Sequence, residues 1–299
     1  MSMLYYRKGL DLSYNIAVMH RNLLQSPVLI EGARIMDKLD YLIEYLLKES
    51  KDINIEKLPK DLNDKKRLYR SLCNIREPIP VSNEYIKIEN EYLKEESRLK
   101  GIVDSKNITA FDNYTGTQIC LWKGDITTLK IEAIVNAANS RGLGCFIPCH
   151  KCIDNAIHSA SGIELRLECN KIMQKLKILQ TGKAFITSGY NLPSKYIIHT
   201  VGPIIYENVT DKNVSELEEG YINALELARE NNIKEIAFPC ISTGEFRFPK
   251  DLASEIAIRV IRKYIDENKT CFERIIFNVF SEEDYNIYMK NLGDEYGRL

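Results

Sequence analysis

The sequence predicts an α/β/α sandwich that follows a helical N-terminal region. Short apolar, β-branched segments alternate with amphipathic helical patterns from about residue 113 onward. Many of these segments are apolar on both faces, which is typical of strands in a largely parallel sheet that helices cover on both sides. The preceding stretch is highly charged and helical, with no convincing strand. We therefore divide the chain into a helical accessory region, residues 1–112, and an α/β domain, residues 113–299.

The composition is that of an ordinary globular protein. Of the 299 residues, 44% are hydrophobic and 28% are charged, and the length favours two compact units. Lys and Arg number 41 against 42 Asp and Glu, so the net charge of −1 argues against nucleic acid or an anionic membrane as a partner. No apolar run reaches the roughly 18 residues of a membrane span, and the first residues lack the apolar core of a secretion signal. We expect a cytoplasmic protein.

The accessory region contains three helical patterns. Ala33–Lys48 repeats apolar residues at spacings of three and four, which places them on one helix face. Leu62–Leu72 and Tyr85–Leu99 give shorter patterns, which Pro59 and the turn Glu77–Pro80 interrupt. We interpret this region as a helical layer packed on the main domain.

The second region contains six predicted strands and four predicted helices. The strands are Ile119–Trp122, Ala133–Asn136, Lys183–Thr187, Tyr196–Val201, Glu235–Pro239 and Arg274–Phe280. The helices are Ile153–Ala160, Val214–Glu230, Lys250–Asn268 and Glu282–Leu292. Ligands of such sheets bind at the carboxyl ends of the strands, so we expect the chemistry in the loops that leave those ends.

Three of these loops carry polar residues that suit a ligand. Asp125, which follows Gly124, can cap a short helix or accept a hydrogen bond from a ligand. Asn139 ends an NAAN segment, in which asparagines either stabilise a turn or contact a ligand. In the loop 240–249, a Ser-Thr-Gly turn can cradle a diphosphate with backbone N–H groups, and Phe246 can lie against a sugar. The alternative for this loop is a helix entry that places Phe246 and Phe248 in the core.

The segments GDIT, VNAAN, CIDNAIHSASG, HTVGP and ISTGEF, in this order, together resemble the macrodomain family. The resemblance covers residues from about 118 to the C-terminus. It implies a three-layer α/β/α macrodomain with a mixed central sheet and a cleft for ADP-ribose. Asp125 then corresponds to the carboxylate that recognises adenine, and Asn139 to the asparagine at the distal ribose. The ADP-ribose-binding residues that the resemblance implies are Asp125, Ile126, Asn139, Ile153, Asp154, Ser242, Thr243, Gly244, Glu245 and Phe246.

Three of the eight cysteines lie within eight residues and have a histidine among them. Thiolate and imidazole are preferred zinc ligands, and a site with three protein ligands leaves a fourth position for water or substrate. Cys145, His150 and Cys152 have the spacing C-x4-H-x-C, with Pro148 to bend the loop. We predict one Zn²⁺ ion on these three residues and a spare thiol at Cys149, which is adjacent to His150. The alternatives are a closed site with four protein ligands and a set of buried thiols without metal.

The form GCFxPxHxC-ID-N resembles the zinc-containing branch of the macrodomains. It implies a hydrolase that removes mono-ADP-ribose from acidic residues of a protein, with Asp154 and Asn139 as catalytic residues. Asp154 would orient or deprotonate the reacting group, and it can also cap a helix. Asn139 would fix the sugar. We interpret His158 and His199 as buried core histidines.

The resemblance also implies partners. These are a mono-ADP-ribosylated protein, in particular a lipoyl-carrier protein of the glycine-cleavage type, and a sirtuin-like ADP-ribosyltransferase. Two other functions fit the same sequence features: an ADP-ribose reader without turnover, in which zinc is structural, and a deacetylase of O-acetyl-ADP-ribose. An acidic residue beside an open metal site favours the hydrolase over the reader.

Overall fold

The structure of the protein is a computed structural model that describes residues 27–50, 53, 55 and 57–294. The chain divides into two compact units, Met1–Tyr69 and Arg70–Leu299, each of which is described by itself. The division of the chain at residue 112 stays a prediction. Among the described residues, no helix combines the length and the apolar character that a membrane crossing requires.

Helices dominate the described N-terminal part of the chain, as the sequence predicts. Helix α1 spans Pro27–Glu49, helix α2 spans Leu62–Ile75 and helix α3 spans Asn83–Lys100. The apolar face predicted for α1 is buried at Ile35, Leu39, Leu42, Ile43 and Leu46. Helix α2 begins in the first unit and ends in the second, because the division between the units falls after Tyr69.

The second unit is built on a mixed sheet of seven strands in the order β2-β3-β9-β8-β5-β7-β6. The five central strands are parallel, and an antiparallel strand lies at each edge. The strands are β2 (Ala110–Tyr114), β3 (Thr117–Lys123), β5 (Ala133–Ala137), β6 (Ala184–Ser188), β7 (Tyr196–Thr200), β8 (Glu235–Phe238) and β9 (Arg274–Val279). Two short strands, β1 (Val103–Asp104) and β4 (Leu129–Lys130), pair separately.

Helices cover both faces of this sheet, which confirms the predicted three-layer fold. Successive strand residues face opposite layers. Ile275, for example, belongs to the apolar cluster beneath helices α6, α7 and α8, whereas Ile276 belongs to the cluster beneath α4 and α5. The covering helices are α4 (Ile153–Ser161), α5 (Ile163–Leu176), α6 (Asp211–Glu230), α7 (Lys250–Glu267) and α8 (Glu282–Asp294).

Helix α5 and the edge strand β2 are not predicted from the sequence. Helix α5 follows α4 after the single residue Gly162 and has no side-chain cap, so no Ser, Thr, Asp or Asn marks its start. Strand β2 lies at an edge of the sheet and is only partly buried, so it lacks a strong apolar pattern.

Candidate functional site

The predicted site residues lie in loops at the carboxyl edge of the parallel strands. Strand β5 leads into the NAAN segment, and its last residues pair in register with those of β7. The loop after β8 carries residues 240–249, and the loop after β3 carries Asp125. These segments are remote in sequence, but the parallel arrangement brings them to one edge of the sheet.

Asp154 is a buried carboxylate that two asparagine amides hold in place. It is the second residue of α4 and is only 4% exposed. Asn136 Nδ2 donates to its Oδ1 at 2.8 Å, and Asn139 Nδ2 donates to its Oδ2 at 3.0 Å. The structure therefore brings together Asp154 and Asn139, which the sequence selects as the catalytic pair. Asn136, the first residue of the NAAN segment, also belongs to this group, although only Asn139 is assigned to the site from the sequence.

Burial raises the pKa of Asp154 from 3.8 to about 6, because the charged form loses its water. The amide of Asn136, the positive charge of Arg166 and the amide of Asn139 oppose this effect. A carboxylate with a pKa near neutrality can accept and release protons at physiological pH. The pKa of Asp154 thus lies closer to physiological pH than that of an exposed carboxyl group.

Two buried histidines lie behind this carboxylate. His199 stands between Asn136, whose Nδ2 lies 3.1 Å from His199 Nδ1, and Thr187, whose hydroxyl lies 2.9 Å from His199 Nε2. Burial lowers the pKa of His199 to about 3, so this ring is neutral. His158 Nε2 lies 3.6 Å from Asp154 Oδ1, and burial also lowers the pKa of His158. Both side chains are buried, in agreement with the sequence analysis.

Cys145, His150 and Cys152 converge in the loop between β5 and α4. Their donor atoms all lie within 4.8 Å of one another, and Cys145 Sγ is 3.7 Å from His150 Nδ1. Two ligands of a tetrahedral zinc ion, at about 2.3 and 2.1 Å from the metal, are about 3.6 Å apart. Two sulfurs and one imidazole nitrogen at this spacing fit a zinc ion.

Cys149 belongs to the same loop but points elsewhere. Its backbone has a positive φ of 50°, and its Sγ lies 3.2 Å from the hydroxyl of Ser71 on α2. Cys152, in contrast, faces α4 as its N-cap, and its sulfur accepts the N–H of Asn155. This geometry separates Cys149 from the three converging donors.

Asp125 caps the short 3₁₀ helix Ile126–Thr128. Its Oδ1 accepts hydrogen bonds from the backbone N–H of Thr127 at 3.0 Å and from the Thr127 hydroxyl at 2.7 Å. Its Oδ2 lies 3.9 Å from Lys100 Nζ, in a side chain that is 42% exposed. The capping role that the sequence suggests is therefore present, and Oδ2 faces the surface. Ile126 is buried at the start of the same turn.

The loop 240–249 lies beside the Cys/His loop. Ser242 has a φ of +66°, and its backbone carbonyl accepts the N–H of Phe248 at 2.9 Å, which closes the loop. Its hydroxyl is buried and has no hydrogen-bond partner among the described residues. Glu245 Oε1 lies 3.5 Å from His150 Nε2, so this loop reaches the Cys/His loop. The carbonyl of Phe246 accepts the N–H of Ile205 from the loop after β7.

The remaining predicted residues lie around these groups. Ile153 is half-buried at the start of α4, directly between Cys152 and Asp154. The hydroxyl of Thr243 donates a hydrogen bond to the carbonyl of Cys240, and Gly244 follows at the exposed tip of the loop.

Comparisons with known proteins identify the family of the chain. The Macro domain family model matches residues 135–257. The chain is 46% identical over 254 residues to the protein-ADP-ribose hydrolase of Treponema medium, covering 84% of this chain and 96% of the relative. It is 44% identical over 253 residues to the protein-ADP-ribose hydrolase of Staphylococcus aureus (strain MSSA476), covering 84% and 93%.

Solved structures show the same likeness. An Oceanobacillus iheyensis macrodomain with ADP is 37% identical, with a TM-score of 0.57 over 63% of this chain and 96% of that chain. A Trypanosoma brucei macrodomain in complex with ADP-ribose is 30% identical, with a TM-score of 0.59 over 75% and 95%. These matches confirm the resemblance found in the sequence. The chain belongs to the macro domain family.

Proposed function

We propose that this protein is a protein-ADP-ribose hydrolase with a single zinc ion at its catalytic centre. The observation that supports this most strongly is the juxtaposition of a buried, amide-held carboxylate and a set of three metal donors. Asp154 lies two residues after Cys152 and accepts a hydrogen bond from Asn139. The relatives at 46% and 44% identity carry the same activity in their names.

The proposed ligand is ADP-ribose, in the cleft between the loops at the carboxyl edge of the sheet. In this proposal, Asp125 and Ile126 bind the adenine end. Residues 242–246 hold the diphosphate, with Phe246 beside the distal ribose. The buried Ser242 hydroxyl supports this assignment, since a polar group without a protein partner is costly unless a ligand or water satisfies it. The Trypanosoma brucei relative was solved with ADP-ribose.

Asp154 is the general base in the proposed reaction. It takes a proton from the attacking water, whose oxygen forms a bond to the anomeric carbon of the distal ribose. The bond from that carbon to the modified carboxylate breaks, and the carboxylate leaves as an anion. Asn139 and Asn136 hold Asp154 in position, and the proton then passes from Asp154 to solvent.

The metal would be held by Cys145, His150 and Cys152. When bound, a zinc ion supplies Lewis acidity beside the carboxylate. Burial raises the pKa of the Cys152 thiol, so a thiolate at this position needs a cation nearby. The positions of the three donors support this assignment.

The finer features of the proposal rest on the likeness of the GCFxPxHxC segment to the zinc-containing branch. They are an ester linkage to an acidic side chain, a substrate of the lipoyl-carrier type and a functional link to a sirtuin-like ADP-ribosyltransferase. The proposed location is the cytoplasm.

The test is a time course of label release from a protein that carries mono-ADP-ribose on glutamate. We expect release by the wild type, and loss of release with Asp154→Asn and with a zinc chelator. Asp211→Asn is the matched control, because Asp211 is an exposed residue at the start of α6. ADP-ribose binding without release would identify a reader and contradict the proposal. Release of acetate from O-acetyl-ADP-ribose, with the protein conjugate left intact, would show that the substrate is the free metabolite.

A further inference from the structure

The Cys/His loop, residues 144–152, depends on neighbouring elements for its shape. It contains no helix or strand, and it runs between β5 and α4. Metal ligands on an irregular loop are pre-positioned only if hydrogen bonds from outside the loop fix them. The source of those hydrogen bonds therefore determines how well the three donors are arranged before a metal arrives.

The guanidinium of Arg70, on α2, contacts the loop at the predicted ligand His150. Its Nη2 donates to the backbone carbonyl of His150 at 3.0 Å and to Asn155 Oδ1 at 2.6 Å. Its Nε donates to the same Asn155 oxygen at 3.0 Å. One planar group thus joins the backbone of a predicted metal ligand to the first turn of α4.

Asn155 extends this contact to the rest of the loop. Its side chain is completely buried, and its Nδ2 donates to the carbonyl of Ile147 at 2.9 Å. Its backbone N–H points at the sulfur of Cys152 at 3.4 Å. Arg70 therefore touches one ligand residue directly and fixes the residue that contacts a second ligand.

A second residue of α2 holds the part of the loop that carries no predicted ligand. Asn74 Oδ1 accepts the backbone N–H of Cys149 at 2.9 Å. Arg166, from α5, anchors the end of the helix by donating to the carbonyls of Cys73, Asn74 and Arg76 at 2.7–2.8 Å. The same guanidinium donates to the carbonyl of Leu143 at 2.9 Å, just before the loop. Helix α2 and the loop are thus tied to one another by charged and amide groups.

We propose that Arg70 is a positioning residue of the metal centre, which arranges His150 and Cys152 through the His150 carbonyl and Asn155. The inference rests on the metal site of the proposed function and extends it to a residue 80 positions away in the sequence. Removal of a partner outside the ligand set commonly lowers metal affinity about 10- to 100-fold. Lysine keeps the charge but lacks the planar fork that bridges two acceptors.

The experiment measures zinc affinity by competition with a chromophoric chelator, on the full chain. We expect Arg70→Ala to weaken zinc binding about 10- to 100-fold, with Arg70→Lys intermediate. With Co²⁺ in place of zinc, the absorption bands of Arg70→Ala should shift, because the donors hold a different geometry. Asn74→Ala is the matched control on the same helix and loop, and we expect less than about a threefold change, since Asn74 holds the non-ligand Cys149.

Three results would overturn the inference. The first is equal zinc affinity and an unchanged Co²⁺ spectrum in Arg70→Ala, even with a lower melting temperature, because Arg70 would then stabilise the fold alone. The second is a decrease of zinc affinity in Asn74→Ala that equals the decrease in Arg70→Ala. The third is a wild-type protein that binds no stoichiometric zinc. Arg70→Lys keeps the test valid if Arg70→Ala does not fold. Metal binding is read without substrate, so a protein that shows the Arg70 effect but hydrolyses nothing would refute only the proposed function.

Discussion

Acid should destabilise the protein through His199, and a substitution that removes the imidazole should remove part of this effect. The ring is fully buried, and burial lowers its pKa from 6.5 to about 3. Because the folded-state pKa is lower than the unfolded-state pKa, the unfolded chain binds the proton first as the pH falls. Stability is therefore unaffected well above pH 6.5 and decreases as the pH falls from there toward 3.

The expected loss of stability follows from the difference between the unfolded-state and folded-state pKa values of His199. At about pH 5, the unfolded histidine is mostly protonated and the buried one is not, so His199 lowers the free energy of unfolding by about 2 kcal/mol relative to neutral pH. Protonation would also turn Nδ1 from an acceptor into a donor that faces the amide of Asn136, the group that holds Asp154. The loss of stability and the loss of the site geometry are thus coupled.

The assay is urea unfolding of the wild type and His199→Gln, with a chelator present, at about pH 7.5 and pH 5. Glutamine can accept from Asn136 and donate to Thr187 without titrating in this range. We expect the variant to be less stable at neutral pH, but the wild type to lose about 2 kcal/mol more between the two pH values. An equal decrease in the free energy of unfolding of the two proteins would refute the assignment of a neutral, buried His199.

Three further predictions concern the site. Gly144→Ala should lower the melting temperature and impair catalysis, because Gly144 has a φ of +83° and an added Cβ would lie 2.7 Å from the ring of His158. A decrease of less than about 1 kcal/mol in the free energy of unfolding would contradict this prediction. Asp125→Ala should weaken ADP-ribose binding in calorimetry by at least about tenfold, since it removes both the cap and the proposed adenine contact; unchanged affinity would exclude that contact. Elemental analysis should find one zinc per chain in Cys149→Ser and a much lower zinc content in Cys152→Ser. An equal decrease of zinc content in both variants would favour the closed site with four protein ligands.

Much of the fold could be predicted because the strands are buried and the helices are amphipathic. Successive residues such as Ile275 and Ile276 face opposite apolar layers, so their strand reads as a continuous apolar run. Helix α5 escapes detection because it begins one residue after α4 ends, without a cap. The hydrophobic pattern of the sequence does not distinguish two helices that a single residue separates.

The candidate site was predictable where its residues form a local pattern. Cys145, His150 and Cys152 are close in sequence, and the structure brings their donor atoms together. Arg70 carries no such signal, and Asn136 belongs to the NAAN segment without being assigned to the site from the sequence. Arg70 acts across 80 residues of chain, and Asn136 lies within an apolar strand, where its side chain binds Asp154 only after the loop folds back. Contacts of this kind come from tertiary packing, which composition and spacing do not contain.

Anomalous diffraction at the zinc absorption edge, from a crystal of the full chain soaked with ADP-ribose, would locate the metal relative to the sugar. We expect a single peak per chain, within bonding distance of the sulfurs of Cys145 and Cys152 and a ring nitrogen of His150. The open side of the metal should face the distal ribose, with Asp154 adjacent. A peak with a fourth protein ligand, a peak remote from the sugar, or no peak at all would refute an open zinc site at the catalytic centre.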